Sequence, residues 1–246
     1  MASFTEADDL AGAEFVGTDL HGAWFRDSDL SGVRIRGADL TGAELDGDID
    51  GLRINGVEVA PLVEAELDRR HPERAALRAR DAASMRAGWA GLEAMWAPTM
   101  KRVAAMPPGT VDVSVDGEWS FAQTLRHLVF ATDAWLGFAI LGKPDAYHPI
   151  GVPFSGWRDQ AAGVVDADAA PSYREVLQVR AERVGMVRDF LGTLTDERLD
   201  ELRDSPVFAR TPQFPLGQCL WIIMNEEWHH HRYAVRDLDA IEAGTS

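Results

Sequence analysis

Large apolar residues recur at every fifth position through the first forty-five residues of the chain. They are Leu10, Phe15, Leu20, Phe25, Leu30, Ile35, Leu40 and Leu45. Neither the helical period of 3.6 residues nor the strand period of 2 generates a strict repeat of five. The spacing requires every fifth side chain to meet the same environment. It therefore indicates a solenoid in which the chain turns one corner per repeat.

The repeated unit, seen in Ala38-Asp39-Leu40-Thr41-Gly42, resembles the repeat of the pentapeptide-repeat family. The resemblance implies a short right-handed quadrilateral β-helix over residues 1–50, with the Leu and Phe side chains stacked inside. Eight units make about two coils in such a fold. Because so small a unit buries little apolar surface, we expect it to rest against the remainder of the chain.

The formal net charge of −16 is concentrated at the beginning of the chain. Residues 1–60 contain 13 acidic and 4 basic side chains, a balance of −9. This charge argues against binding to nucleic acids or anionic membranes, which require clustered Lys and Arg. Long acidic solenoids of the pentapeptide-repeat family are known as mimics of duplex DNA. The alternative for so short a segment is an acidic cap whose outward side chains are solvated.

The remaining composition is that of an ordinary globular protein. The only cysteine, Cys219, excludes a disulfide scaffold. The acidic start MASFTEADD has no features of a secretory signal, and the longest nearly apolar stretch is too short to cross a bilayer. A cytoplasmic location is the expectation.

Residues 51–74 read as a linker, with a small hairpin around Asn55-Gly56. From residue 75 to residue 246 the helical period prevails. Four helices of about 20 residues are predicted. They extend from near Pro72 to Pro107, from Ser120 to Gly142, from Pro171 to about Leu194, and from Leu216 to about Ile241. A long connection over 143–171 completes the pattern of a four-helix bundle. The predicted protein is thus multi-domain, α and β.

The last helix contains five titratable residues in the run Glu226-Glu227-Trp228-His229-His230-His231. At 100° per residue, His231 lies at the centre of the apolar stripe, and Glu227 lies 40° away on the same face. His229 and Glu226 point to the opposite side, and His230 lies on the flank. Helical periodicity therefore favours Glu227 and His231 as the buried pair.

A carboxylate in an apolar stripe requires a partner, because burying it unpaired costs several kcal/mol. The partner of Glu227 could be a metal ion, a buried arginine or a hydrogen-bonded histidine. Glu and His at i, i+4 can hold a metal from one helical turn. His127, on the second predicted helix, is the candidate third ligand. A hydrogen-bonded Glu–His pair with a separate core histidine is the alternative.

Trp119-Ser120 before a helix containing His127, followed by Glu227-x-x-x-His231-Arg232, resembles the DinB-like superfamily. The resemblance covers roughly residues 75–246. It implies a four-helix bundle that binds a divalent metal through one His of the second helix and an H-x-x-x-H pair of the fourth. Glu227 replaces the first His of that pair, as in the related mycothiol-dependent maleylpyruvate isomerase. Zn is the expected ion, and Ni, Fe and Mn also suit two His and a carboxylate.

The resemblance further implies a small thiol, mycothiol or bacillithiol, that attacks an electrophile. The predicted function is a metal-dependent thiol transferase or isomerase, with hydrolysis by activated water as a weaker variant. Arg232, Tyr233 and Arg236 are candidates for binding a carboxylate-bearing cofactor, although arginines at helix ends more often pair with surface acids. The rival prediction is a non-catalytic interaction module that uses the acidic solenoid. A homodimer is left open.

Overall fold

The structure is a computed structural model. It describes residues 3–5, 8–26, 28–78, 81–154, 157, 161, 163–166, 169–206, 209 and 211–244, without the side chains of residues 75 and 76. The chain divides into two compact units, Met1–Ala43 and Glu44–Ser246. The predicted start of the first long helix near Pro72 is wrong, because residues 72–78 form a 3₁₀ helix and the α-helix begins at Ala82 with Asp81 as its N-cap. Parts of the predicted connection over 143–171 lie outside the described ranges.

The first unit is a succession of tight turns with a period of ten residues. A carboxylate oxygen of Asp9 accepts a hydrogen bond from the backbone N–H of Ala11, and the same contact recurs from Asp39 to Thr41. Gly12 and Gly42 follow these contacts at φ near +76°, a conformation that favours glycine. The aspartate and the glycine of each such unit therefore form one Asx-stabilised corner.

The predicted β-helix is not confirmed by this unit. Its described residues form no strand. The large apolar side chains from Leu10 to Leu40 are 43–60% exposed, so their predicted burial is wrong.

The second unit begins with small elements. β1 (Arg53–Ile54) and β2 (Val57–Glu58) pair antiparallel around Asn55-Gly56. Both turn residues have positive φ, 50° and 83°, as a two-residue hairpin requires. Helix α1 (Ala60–Arg70) and a 3₁₀ helix (Pro72–Arg78) follow the hairpin. The sequence did not predict α1, which has no buried residue.

Four long helices form the body of the second unit. They are α2 (Ala82–Ala105), α3 (Phe121–Thr132), α4 (Tyr173–Thr193) and α5 (Leu216–Gly244). The most extensive helix contacts join α2 to α4, α4 to α3, α3 to α5 and α5 to α2. The cyclic order α2, α4, α3, α5 is that of a four-helix bundle, and it places α4 and α5 diagonally across the core.

Helix α3 continues as a π-helical segment, Asp133–Ile140, so the predicted helix 120–142 has the expected length but a different second half. Gly137 lies in this segment, and a Cβ added there would be only 3.1 Å from the Ala146 Cβ. The close approach lets the connection after α3 pack directly on the helix. Asp133 accepts a hydrogen bond of 2.8 Å from the backbone N–H of His148.

A short 3₁₀ helix (Asp196–Arg198) and a small hairpin separate α4 from α5. The hairpin consists of β3 (Leu202–Asp204) and β4 (Gln213–Pro215), which pair antiparallel. Across the described ranges, none of the helices combines the length and the apolar character needed to cross a membrane.

Ser120 begins α3 with a reciprocal capping box, in which its hydroxyl accepts from the Gln123 N–H and the Gln123 side chain accepts from the Ser120 N–H. We expect Ser120→Ala to lower the free energy of unfolding of the bundle by about 1 kcal/mol, because the Gln123 N–H loses the hydroxyl that accepts its hydrogen bond. Urea unfolding followed by circular dichroism measures this change. Ser31→Ala, an exposed serine of the repeat unit, is the control and should leave the bundle transition unchanged.

Candidate metal centre

His127 of α3 and Glu226 and His230 of α5 converge at one edge of the bundle. The His127 Nε2 atom lies 3.3 Å from Glu226 Oε2, and His230 Nε2 lies 3.1 Å from the same oxygen. One ligand atom from each of the three residues lies within 4.8 Å of the other two. Among the described residues, these three side chains form the only group of three or more His, Cys, Asp or Glu residues that could hold a metal ion.

The orientation of His127 is set by the connection that follows α3. Its Nδ1 atom lies 2.9 Å from the Val152 carbonyl oxygen, which can only accept a hydrogen bond. Nδ1 therefore carries a hydrogen, and in the neutral ring Nε2 presents its lone pair to Glu226. A backbone carbonyl on the distal ring nitrogen is the usual support of a metal-ligating histidine. Gly151 permits this approach, since a Cβ there would lie 3.2 Å from the Phe130 Cβ.

The arrangement brings His127 Nε2 and Glu226 Oε2 to 3.3 Å from each other. Either a proton on Nε2 or a cation held by both lone pairs satisfies this contact. Ligand atoms of zinc are separated by about 3.3 Å in tetrahedral sites. The separations of 3.3 and 3.1 Å fit that spacing. Two imidazoles and a carboxylate thus suit a divalent transition metal in both chemistry and distance.

Burial and the neighbouring rings control the protonation of these ligands. Burial opposes ionisation of Glu226, but hydrogen bonds and charge from His127 and His230 prevail and hold its pKa well below its usual range. Burial lowers the pKa of His230, against the effect of Glu226. The ionised carboxylate and the neutral imidazole are the forms that bind metal.

Trp119 forms an aromatic wall of the cluster. Its ring centroid lies 4.5 Å from that of His127 and 5.8 Å from that of His230, nearly parallel to the latter. The His127 side chain is only 8% exposed, whereas Glu226 is 33% exposed. The cluster is therefore walled on the histidine side and open to solvent at Glu226.

Glu227 is not part of this cluster. It is 1% exposed in the bundle core, and both of its carboxylate oxygens accept hydrogen bonds from Arg180 of α4. Burial raises the pKa of Glu227, and the charge of Arg180 acts against that shift. The buried carboxylate does have a partner, as predicted. Of the three possible partners, a metal ion, a buried arginine and a histidine, the structure shows the arginine.

His231 is also directed elsewhere. Its Nε2 atom lies 2.9 Å from the hydroxyl oxygen of Thr99 on α2, and its ring meets Trp96 edge-on at 4.8 Å. The structure therefore brings His127, but neither Glu227 nor His231, to the candidate centre. The prediction that Glu227 and His231 meet His127 is corrected: Glu226 and His230, each one residue earlier, lie beside it.

The physical reason for this correction is the position of the site on α5. The run Glu-Glu-Trp-His-His-His contains the Glu-x-x-x-His spacing twice, and burial was used to choose between the two pairs. Burial identifies the pair that faces the core, whereas the candidate centre lies at the edge of the core, where Glu226 is 33% exposed. One sequence feature could have indicated Glu226 and His230: an arginine in the apolar stripe of another predicted helix, Arg180, could pair with Glu227 and leave the other Glu and His for the cluster.

The three residues predicted to bind a cofactor, Arg232, Tyr233 and Arg236, lie on α5 within two turns after His230. The structure joins two of them to a carboxylate of the chain itself. The Tyr233 hydroxyl donates a 3.0 Å hydrogen bond to Asp46, and Arg232 lies 3.7 Å from the same carboxylate. Arg236 pairs with Asp237 at 2.7 Å. Burial raises the pKa of Tyr233 to about 12, with Asp46 adding to the shift.

Comparison with known proteins agrees with this geometry. The DinB superfamily matches residues 91–234, more than half of the chain, and eight copies of the pentapeptide repeat match residues 2–42. The chain belongs to the DinB superfamily. No curated protein and no solved structure matches it. The DinB region contains α3 and most of α2 and α5, and with them all three residues of the cluster.

The Arg180–Glu227 pair gives a prediction on stability. Arg180→Met should lower the free energy of unfolding by about 3–5 kcal/mol, because it leaves a buried carboxylate without a partner. Arg188 of the same helix pairs with Glu93 at the surface, so Arg188→Met should cost less than about 1 kcal/mol. Urea unfolding compares the two variants. The double variant Arg180→Met/Glu227→Met should recover most of the loss, and equal effects of the two single variants would contradict the assignment.

Proposed function

We propose that the protein is a divalent-metal-dependent enzyme whose metal is held by His127, Glu226 and His230. The observation that carries the proposal is the convergence of one ligand atom each from His127, Glu226 and His230 to within 4.8 Å of one another, with the other nitrogen of His127 held by a backbone carbonyl. Three protein ligands leave a coordination position for another group, the pattern of catalytic rather than structural sites. Zinc is the ion we expect.

A bound divalent cation would supply Lewis acidity, lowering the pKa of a thiol or a water at the open position. The residues of the chain contribute orientation and shielding. The Val152 carbonyl fixes the tautomer of His127, and Trp119 limits the access of water on the histidine side. The exposed edge of Glu226 leaves an approach for a small molecule.

The reaction that we propose is attack of a low-molecular-weight thiol, mycothiol, on an electrophile, as in a transferase or an isomerase. The resemblance to the thiol-dependent isomerase supports this choice, as does the mixed His and carboxylate ligand set. A thiol becomes a potent nucleophile once it is deprotonated to the thiolate. Hydrolysis by an activated water is the weaker variant.

Neighbouring residues of α5 provide matched tests of the ligands. Protein purified without a histidine tag should contain about one divalent metal per chain. We expect Glu226→Gln and His230→Gln to lose most of it, because each removes a ligand, and metal content is measured by mass spectrometry. Mutation of a residue that only supports a metal ligand costs about 10- to 100-fold in affinity, so removal of a ligand itself should cost more.

The control variants are Glu227→Gln and His231→Gln, which change the same residue types one position along the helix. Both should retain the metal. Loss of metal only in these two variants would show that the ligands are Glu227 and His231. A wild-type chain without metal, even after reconstitution, would remove the basis of the enzymatic proposal.

The thiol is tested separately from the metal. We expect mycothiol to change the visible and near-ultraviolet spectrum of the cobalt-substituted protein, because sulfur coordination adds a charge-transfer band. His230→Gln should abolish the change. A wild-type protein that binds cobalt but gives the same spectrum with and without mycothiol would exclude the thiol reaction and leave hydrolysis.

The second candidate is a non-catalytic interaction module that uses the acidic repeats. The observation that favours it is the 43–60% exposure of the seven large apolar side chains from Leu10 to Leu40. Such a row of exposed apolar side chains is typical of a contact surface. The metal measurement separates the two candidates, since an interaction module has no need of a metal.

A further inference from the structure

The residues beside the candidate metal centre already hold a carboxylate, and that carboxylate belongs to the chain. Asp46 lies in the connection that follows the repeat unit. It accepts a hydrogen bond of 3.0 Å from the Tyr233 hydroxyl and lies 3.7 Å from the Arg232 guanidinium. Both donors are on α5, within one turn of His230.

A second arginine adds positive charge at the same place. The guanidinium of Arg236 lies over the Tyr233 ring at 5.4 Å, and that of Arg232 lies over the same ring at 5.5 Å. An arginine fork and a phenol hydroxyl are a typical donor set for a carboxylate. Tyr233 therefore carries a hydrogen-bond donor between two cations.

This donor set is joined to the metal cluster by a direct contact. The Tyr233 ring meets the His230 ring edge-on, with the centroids 5.8 Å apart. Asp46 is 52% exposed and Arg232 is 31% exposed, so the ion pair faces solvent and a small molecule can reach it. Exposed ion pairs of this kind contribute little and exchange readily.

We propose that Arg232, Tyr233 and Arg236 form a binding site for the carboxylate of a small-molecule substrate or cosubstrate, and that Asp46 occupies this site as a displaceable internal carboxylate. A ligand that binds there places its remaining atoms next to His230. Its binding releases Asp46, and with it the residues that directly follow the repeat unit. The inference deepens the proposed function and rests on it for the reaction of the bound molecule, but not for the binding itself.

The competition between Asp46 and an external carboxylate determines how much the affinity for that carboxylate should change when Asp46 is removed. When a ligand must displace an internal group, its apparent affinity is its intrinsic affinity multiplied by the fraction of molecules in which the site is open. One exposed ion pair and one hydrogen bond together correspond to about a fivefold change in that fraction.

The test uses the full-length chain without added metal and measures the binding of succinate by titration calorimetry at constant ionic strength. Asp46→Asn should bind succinate about fivefold more tightly than wild type. Asp50→Asn, which removes the same charge at an exposed residue four positions along the chain, should match wild type. Succinamide, which has no carboxylate, should not bind.

A second variant keeps the test independent of Asp46. Tyr233→Phe removes only the hydroxyl, and in the Asp46→Asn background it should weaken succinate binding at least threefold. Equal affinities for Asp46→Asn and Asp50→Asn would overturn the internal competition. Equal binding of succinate and succinamide, or an unchanged affinity in Tyr233→Phe, would overturn the carboxylate site. Since Asp46 and Tyr233 are not among the proposed metal ligands, the metal content of each variant should equal that of wild type, and each of these results is distinct from a failure of the metal centre.

Discussion

The pairing of Arg180 with Glu227 determines how α5 presents its other side chains. The pair crosses the bundle diagonal from α4 to α5, and removing either partner would leave a charge in the core. Glu227 must therefore face inward. On an α-helix the preceding residue then lies 100° away, at the flank of the buried stripe. This rotation brings Glu226, and His230 one turn later, to the edge where α3 carries His127.

The run of two glutamates and three histidines made a candidate metal site on this helix predictable from the sequence, but not which of these side chains meet His127. The i, i+4 spacing is satisfied by two pairs, and a helical wheel distinguishes only inner from outer positions. Which pair faces His127 depends on Arg180 of α4, which holds Glu227 in the core. His127 lies in the candidate cluster, and its role as a metal ligand stays a prediction.

The four long helices were predictable because each buries an apolar stripe with clear caps, such as Ser120 and Ser172. Helix α1 was not predictable in this way, because it buries no residue. Its surface ion pairs, such as Arg69–Glu66, do not produce the apolar periodicity by which a helix is recognised in a sequence. The π-helical segment from Asp133 depends on contacts with the later connection. In the repeats, the five-residue period predicts the positions of the turns and not the burial of the side chains.

Anomalous diffraction at the zinc edge, on crystals of the reconstituted protein, tests the central claim most directly. The account predicts one peak about 2.0–2.2 Å from Nε2 of His127, Nε2 of His230 and a carboxylate oxygen of Glu226. Glu227 should remain paired with Arg180 in the same map. A peak beside Glu227 and His231, or no peak between His127 and α5, would contradict the account.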